Sequence, residues 1–295
     1  MQPFFSIIVV CLNPGKKLLE TLESIKEQTF CDYEVIVKDG LSTDGAAESV
    51  PEMFPKESFR LICQKDQGIY DAMNQAAALA RGKYVYFLNC GDRFYSEKVL
   101  LQMAEFIKAS KSEEQIEDKI QIESTMQMES KVQEGTGIYY GNIFERLTGQ
   151  RVASNPHMDA FGCYRNVPCH QACFYSRELL LWHPFDISYK VRADYEQFLW
   201  CFFSCDTKGG VTFAYQDIII ADYEGGGFSE TNENKRLSAK EHREITKKYM
   251  TSAQLFKFRA IMLLSLAPLR TWIAENERTA GIYNRMKGII YSRKK

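Results

Sequence analysis

The sequence predicts an α/β protein, a mainly parallel sheet flanked by helices and followed by a helical extension at the C-terminal end. Three observations carry that prediction. Phe4–Cys11 is an unbroken apolar run rich in β-branched residues, the pattern of a strand buried on both faces. Strand-like and helix-like segments then alternate over the first hundred residues, as βαβ units require. Finally, two strand-like runs each deliver a carboxylate where the strand should end, Asp39 after Tyr33–Lys38 and Asp92 after Lys83–Leu88. Ligands of parallel α/β sheets bind beyond the carboxyl ends of strands. Two aspartates there point to a polar, phosphate-rich ligand and a metal ion.

The elements follow in order. Pro14-Gly15 punctuates the first strand, and Lys16–Gln28 carries Leu18, Leu19, Leu22 and Ile25 at helical spacing. Tyr33–Lys38 is the second strand, Thr43–Val50 a short helix and Phe59–Cys63 the third strand. Ile69–Ala80 is alanine-rich and helical. After the fourth strand, Ser96 caps a helix running to about Ile107, with Val99, Leu100, Met103 and Phe106 on one face. Residues 110–135 are rich in Glu, Lys, Gln, Ser and Met and read as a polar insertion, helical or mobile. Gly137–Glu145 and Gln150–Ala153 form a hairpin across Leu147-Thr148-Gly149. His170–Tyr175 and Val211–Ala221 are strands; Asp194–Phe203, Glu230–Tyr249 and Gln254–Trp272 are helices. Domain boundaries follow: 1–229 as the α/β domain and 230–295 as the helical extension.

Bulk properties exclude several classes. Net charge is −1, so nothing global favours nucleic acid or another acidic polymer. From Lys257 onward, however, nine Lys/Arg stand against two Glu. Phe256 precedes that basic stretch, which carries Phe258, Ile261, Leu263 and Leu264, a composition suited to an anionic membrane surface. The nine cysteines sit largely in apolar runs and form no CxxC pair, which argues against zinc and for free thiols in a reducing cytoplasm. Met1–Leu12 lacks a basic leader region and a small-residue cleavage site, so it reads as a buried strand rather than a secretory signal. No apolar stretch reaches the length of a spanning helix.

Four motifs stand in a fixed order: S-I-I-V-V-C-L-N from Ser6, V-K-D-G-L-S-T-D-G from Val37, D-Q-G-I-Y-D-A-M-N from Asp66 and F-L-N-C-G-D from Phe87. Together they resemble the inverting family 2 glycosyltransferases of GT-A fold, a Rossmann-like nucleotide-diphospho-sugar transferase architecture, and within them the bacterial surface-polysaccharide enzymes with an LNxGD motif. The match extends from Phe4 to about Phe228. A Rossmann dehydrogenase is excluded because C-L-N-P-G-K-K stands where G-x-G-x-x-G should follow the first strand. A nucleotidyltransferase would carry a longer glycine-rich, basic loop there.

The resemblance implies a donor of UDP- or GDP-sugar type, a cofactor of Mg²⁺ or Mn²⁺, and a hydroxyl acceptor on a glycan or a lipid-linked glycan in capsule, exopolysaccharide or O-antigen synthesis. It assigns Asp39 to the nucleotide base, Asp66 to the donor pocket, and Asp92 to the metal and diphosphate. Asn89 replaces the first aspartate of the family's D-x-D motif; its amide accepts a ribose or metal-water contact without adding charge. Asp194 in R-A-D-Y-E-Q matches the acidic residue that deprotonates the acceptor, while Glu196 faces away on a helix. His170 in P-C-H-Q and Gly226, Gly227 and Ser229 in E-G-G-G-F-S match positions at the acceptor or diphosphate. Asp71 reads equally as a charge at a helix N-terminus. The alternative to an enzyme at the inner face of the plasma membrane is a GT-A-like chain that binds nucleotide, or serves as a partner subunit, without catalysis.

Overall fold

The computed structural model describes residues 2–47, 50, 53–123, 135–205, 210–226 and 231–265. Four strands form its parallel half: β1 (Phe5–Cys11), β2 (Tyr33–Asp39), β3 (Phe59–Cys63) and β4 (Tyr84–Phe87), in spatial order β3-β2-β1-β4. Helix α1 (Lys16–Lys26) connects β1 to β2 and buries Leu18, Leu22 and Ile25. Helix α2 (Ile69–Ala77) connects β3 to β4 and buries Tyr70, Met73 and Ala76. As the run of apolar residues predicts, Phe5–Val10 are all buried, since helices cover both faces of this half.

Beyond β4 the sheet turns mixed. β5 (Arg93–Phe94) follows directly, and α3 (Val99–Glu123) seats Val99, Leu100, Met103 and Ile107 in the core. The helix runs on into the polar insertion; residues 124–134 lie outside the described residues. β6 (Thr136–Glu145) and β7 (Gln150–Val152) make the expected hairpin. Next come α4 (Ala160–Arg165), a 3-10 turn at His170–Ala172, β8 (Cys173–Ser176), α5 (Arg177–Trp182), α6 (Ala193–Phe203) and β9 (Val211–Tyr223). The full order is β3-β2-β1-β4-β8-β6-β9-β5, with β7 on β6. β8 is antiparallel to both β4 and β6, and β9 is parallel to β6, so β4, β6 and β9 share one direction. Aromatic rings bind the two halves: Tyr86 on β4 stacks on Phe174 of β8 at 4.5 Å and on Phe94 of β5 at 5.1 Å.

The structure departs from the sequence expectation in a few places. His170–Tyr175 is not one strand; a 3-10 turn takes its first three residues and the strand starts at Cys173. β5, α4 and α5 were not foreseen, because two to six residues are too few to show a period. Of the short helix expected at Thr43–Val50, residues 48 and 49 lie outside the described residues. So do residues 266–295, which include the end of the helix expected to reach Trp272.

The chain divides into two compact units, residues 1–243 and 244–295. Helix α7 (Asn232–Tyr249) runs from the first into the second. The second also holds α8 (Ser252–Leu264), which opens on a capping box: Thr251 Oγ1 accepts from Gln254 N–H, and Gln254 Oε1 accepts from Thr251 N–H. No described helix is long and apolar enough to cross a membrane.

One close approach locks the parallel half. Gly82 N–H donates to Ser6 Oγ at 2.8 Å, and Ser6 Oγ donates to buried Glu34 at 2.7 Å. A Cβ on Gly82 would stand 2.5 Å from Ser6 N and 2.6 Å from the Phe5 carbonyl carbon, so the backbone of β1 would have to shift. Gly82→Ala should therefore cost about 1–3 kcal/mol. Urea unfolding should show this as a lower midpoint at unchanged slope.

Candidate active site

The carboxyl ends of β1, β4 and β9, the 3-10 turn before β8 and the N-termini of α2 and α6 surround one cavity of about 620 Å³. Strand direction explains the grouping. Because β8 runs antiparallel to β4, the residues that precede β8 lie at the end where β4 finishes, which brings His170 and Gln171 beside Asn89 and Asp92. Because β9 runs with β4, its end delivers Glu224 to the same place.

Asp92 is buried, at 3% exposure. Its Oδ1 accepts the Glu224 N–H at 2.9 Å and its Oδ2 accepts the Gln171 amide at 3.2 Å. Burial pushes its pKa up to about 6, against the opposing effect of those two donors and of His170. The preceding Gly91 has φ +101, and a Cβ there would lie 2.5 Å from the Glu224 carboxylate. Only glycine suits that turn. Lys17, at the mouth of the cavity, pairs with Glu224 at 2.7 Å.

Across the cavity, Asp194 opens α6 with its side chain 20% exposed. Its Oδ2 faces His170 Nδ1 at 3.2 Å; its Oδ1 accepts from the Tyr70 hydroxyl at 2.9 Å and from Tyr195 N–H at 2.9 Å. Burial pushes the Asp194 pKa up, but the His170 contact, the Tyr70 hydroxyl and the Tyr195 N–H outweigh it and leave the group below the usual aspartate range. His170 Nε2 meets Asn89 Nδ2 at 3.1 Å. One imidazole thus ties the Asp194 side of the cavity to the Asn89 side.

Asp39 and Asp66 form an adjoining cluster outside the cavity lining. Asp39 ends β2 and accepts from Ser42 N–H at 2.9 Å and from the Ser42 hydroxyl, while Cys11, which does line the cavity, points its thiol at Asp39 Oδ1. Asp66 pairs at 3.0 Å with the fully buried Lys38 ammonium, which also donates to the Asp39 and Gln64 carbonyls. Gly226, φ +67, lies three residues beyond the end of β9; Gly227 and Ser229 lie outside the described residues. Asp71 is turned to Gln67 N–H and to the Gln75 amide. Glu196 faces away from the cavity, buried against His183 at 2.9 Å.

The residues fit a divalent cation that arrives with a diphosphate. Asn89 Oδ1 is buried and accepts no hydrogen bond, which leaves an oxygen acceptor open beside Asp92. Among the described residues, no group of three His, Cys, Asp or Glu gathers to hold a metal by itself. One carboxylate plus ligand oxygens and water is the usual coordination of Mg²⁺ with phosphates.

Comparison with known proteins gives the family and the fold. Residues 6–113 match the family model described as glycosyl transferase family 2. A PGL/p-HBAD biosynthesis glycosyltransferase of Mycobacterium bovis is 32% identical over 239 residues, covering 80% of this chain and 82% of that protein. The chain belongs to glycosyl transferase family 2. It is a glycosyltransferase, and its mixed sheet with flanking helices is the GT-A fold. Staphylococcus aureus TarS 1–349 in complex with UDP-GlcNAc superposes with a TM-score of 0.59 at 18% identity, over 88% of this chain and 71% of that one. The mannosyltransferase PcManGT of Pyrobaculum calidifontis, in complex with GDP-Man and Mn²⁺, superposes at 0.56 with 15% identity, over 98% of this chain and 81% of that one.

Within this family 2 chain, the fold brings Asn89, Asp92, His170 and Asp194 into one cavity and sets Asp39 and Asp66 beside it. Sequence reasoning missed Lys17, Lys38, Tyr70 and Glu224. Lys38 and Tyr70 stand inside the quoted motifs, so position was a signal; their partners, 28 and 124 residues away, were not visible.

The high pKa of Asp92 carries a stability cost. Between about pH 4 and 6 the folded chain holds a proton that an unfolded aspartate has released, so stability falls as pH rises through that window. Above it the penalty is on the order of 3 kcal/mol. Asp92→Asn should accordingly raise the melting temperature of the ligand-free protein at pH 7.5 but leave it nearly unchanged at pH 4. Differential scanning calorimetry at the two pH values checks this.

Proposed function

We propose that the protein is an inverting, divalent-metal-dependent glycosyltransferase that moves a sugar from a UDP- or GDP-sugar to a hydroxyl of a glycan or lipid-linked acceptor in surface-polysaccharide synthesis. One observation carries the reading: two carboxylates share a cavity, and their surroundings push their pKa values in opposite directions. Such a pair divides labour. Asp194 is ionised at neutral pH and faces the cavity as a base. Asp92, buried beside the unpaired Asn89 oxygen, is suited to a cation and diphosphate that neutralise it.

In this reading Asp39 holds the nucleotide base and Asp66 the donor, with Lys38 setting both in place. Asp92 would hold the cation, and Asn89, with its open amide oxygen, would accept from a water on the cation or from a ribose hydroxyl. Bound Mg²⁺ or Mn²⁺ supplies Lewis-acid stabilisation of the diphosphate leaving group. The acceptor oxygen forms a bond to the anomeric carbon as the bond to the diphosphate oxygen breaks, and the acceptor proton passes to Asp194. A single displacement inverts the anomeric centre and requires no nucleophilic side chain. His170 orients Asp194, and Gly226, Gly227 and Ser229 contribute to the acceptor or diphosphate side.

Two features support a place at the inner face of the plasma membrane: the basic stretch after Lys257 and a nucleotide-sugar donor. The catalytic unit of this reading is residues 1–229, with 230–295 as its extension. Truncation after Thr251 should release the protein from phosphatidylglycerol vesicles in a flotation assay; unchanged binding overturns the membrane role.

The activity reading is tested with UDP and GDP, each with Mn²⁺ and with EDTA. Nucleotide at about 100 times its Kd adds roughly 2.7 kcal/mol, a rise of about 5 °C or more in melting temperature. One nucleotide should produce that shift with Mn²⁺ and lose it in EDTA. Asp194→Asn should keep the shift and lose transfer by at least about 100-fold. Retained transfer removes Asp194 as the base, whereas nucleotide binding without turnover in the unmutated protein indicates a non-catalytic subunit.

A further inference from the structure

Tyr70 has one hydroxyl proton and two acceptors. Its oxygen lies 2.9 Å from Asp194 Oδ1 and 2.8 Å from the Val191 carbonyl. A phenol donates a single hydrogen bond, so at any moment one of these acceptors is served and the other is not. The side chain is buried, and its ring is held by Phe185 at a centroid distance of 5.5 Å, which fixes the oxygen between the two.

The second acceptor is as firmly placed as the first. Buried Glu241 on α7 accepts the backbone N–H groups of Lys190, Val191 and Arg192 at 2.8, 3.0 and 2.9 Å. This clamp holds the segment that leads into α6 and fixes where the Val191 carbonyl points. The Asp194 carboxylate, two residues after Arg192, depends on the same segment.

The arrangement bears on a difficulty in the proposed chemistry. A carboxylate surrounded by donors is held ionised, and the same donors resist its protonation. With fixed donors, Asp194 would be a weak base. The Tyr70 hydroxyl is not fixed: rotation about its C–O bond moves the proton from Asp194 to the Val191 carbonyl. An anionic acceptor wins the proton by charge; a neutral carboxylic acid loses that advantage.

We propose that Tyr70 is a positioning residue that follows the charge of Asp194, its hydroxyl donating to the carboxylate in the resting site and turning to the Val191 carbonyl when Asp194 takes up the acceptor's proton. No proton leaves Tyr70. The acceptor's proton stays on Asp194, and only the direction of the phenolic O–H changes. Tyr70 thereby holds the base ionised between turnovers and withdraws its opposition during transfer. This role rests on the reading of Asp194 as the base, but its test does not.

Several titratable groups among the described residues face the pair. His170 approaches from the 3-10 turn, Cys169 from the residue before it, Cys173 and Tyr175 from β8, and Glu241 from α7. The His170 contact at 3.2 Å works in the same direction as Tyr70 and is unaffected by loss of the phenolic hydroxyl.

The test uses the full-length protein, without substrate, labelled with ¹³Cγ-aspartate and ¹³Cζ-tyrosine. Asp194→Asn and Tyr70→Phe assign the two resonances. In the unmutated protein the Asp194 carboxyl should titrate below the usual aspartate range, and the Tyr70 ¹³Cζ shift should follow the same midpoint. Tyr70→Phe, which keeps the ring and its packing, should raise the Asp194 midpoint by about one pH unit. An unchanged midpoint, or a Tyr70 shift that stays flat while Asp194 titrates, overturns the proposal. Transfer retained by Asp194→Asn would instead remove the base reading and leave the titration result standing. Loss of transfer in Asp194→Asn with an unmoved midpoint in Tyr70→Phe would leave the base and remove the role of Tyr70.

Discussion

β1, β2, β4 and β9 all run in one direction, and everything chemical in the protein depends on that shared polarity. Each strand finishes at the same edge of the sheet, where the backbone leaves its ladder and side chains are released into a cavity. Asp39, Asn89, Asp92 and Glu224 are residues at or just beyond such ends. The reversed strand β8 serves the same edge from the other direction, because the turn that feeds it must sit where its neighbours finish. His170 and Gln171 are therefore at the site for the same reason as Asp92, although one pair precedes its strand and the other residue follows it.

Charge is handled differently at the two sides of the cavity. Asp92 sits under the chain at the end of β9 with two neutral donors, too few to offset burial, and is left with an unfavourable ionised form. Asp194 has a backbone N–H, a phenol and an imidazole, and they more than offset burial. The unfavourable site suits a cation, and the favourable one suits a base that must be ionised before the acceptor arrives. Lys38, wholly buried, ties the Asp39–Asp66 cluster together by joining Asp66 to the carbonyls at the ends of β2 and β3.

Much of the fold was legible because the relevant signals are local. Continuous apolar strands, helical spacing at Leu18, Leu22 and Ile25, and the alternation of the two are properties of neighbouring residues. The same holds for Asp39 and Asp92, whose position at the end of an apolar run is visible without knowing what the run packs against. The 3-10 turn at His170 was misread as strand, since the composition of His170–Tyr175 is compatible with both; in the fold the Tyr86 hydroxyl donates to the Gln171 carbonyl.

By itself the sequence determined the parallel half of the sheet, the order of the motifs and the chemical types of the residues at strand ends, because each is written in segments of about ten residues or fewer. Only the tertiary structure decided that Asp194 faces Tyr70 and His170, that Glu224 meets both Lys17 and Asp92, and that Asp39 and Asp66 stand beside the cavity rather than in its wall. Those contacts span 24 to 207 residues of chain. They arise from strand direction and helix packing, which no local pattern encodes, and with burial they push Asp92 and Asp194 in opposite directions.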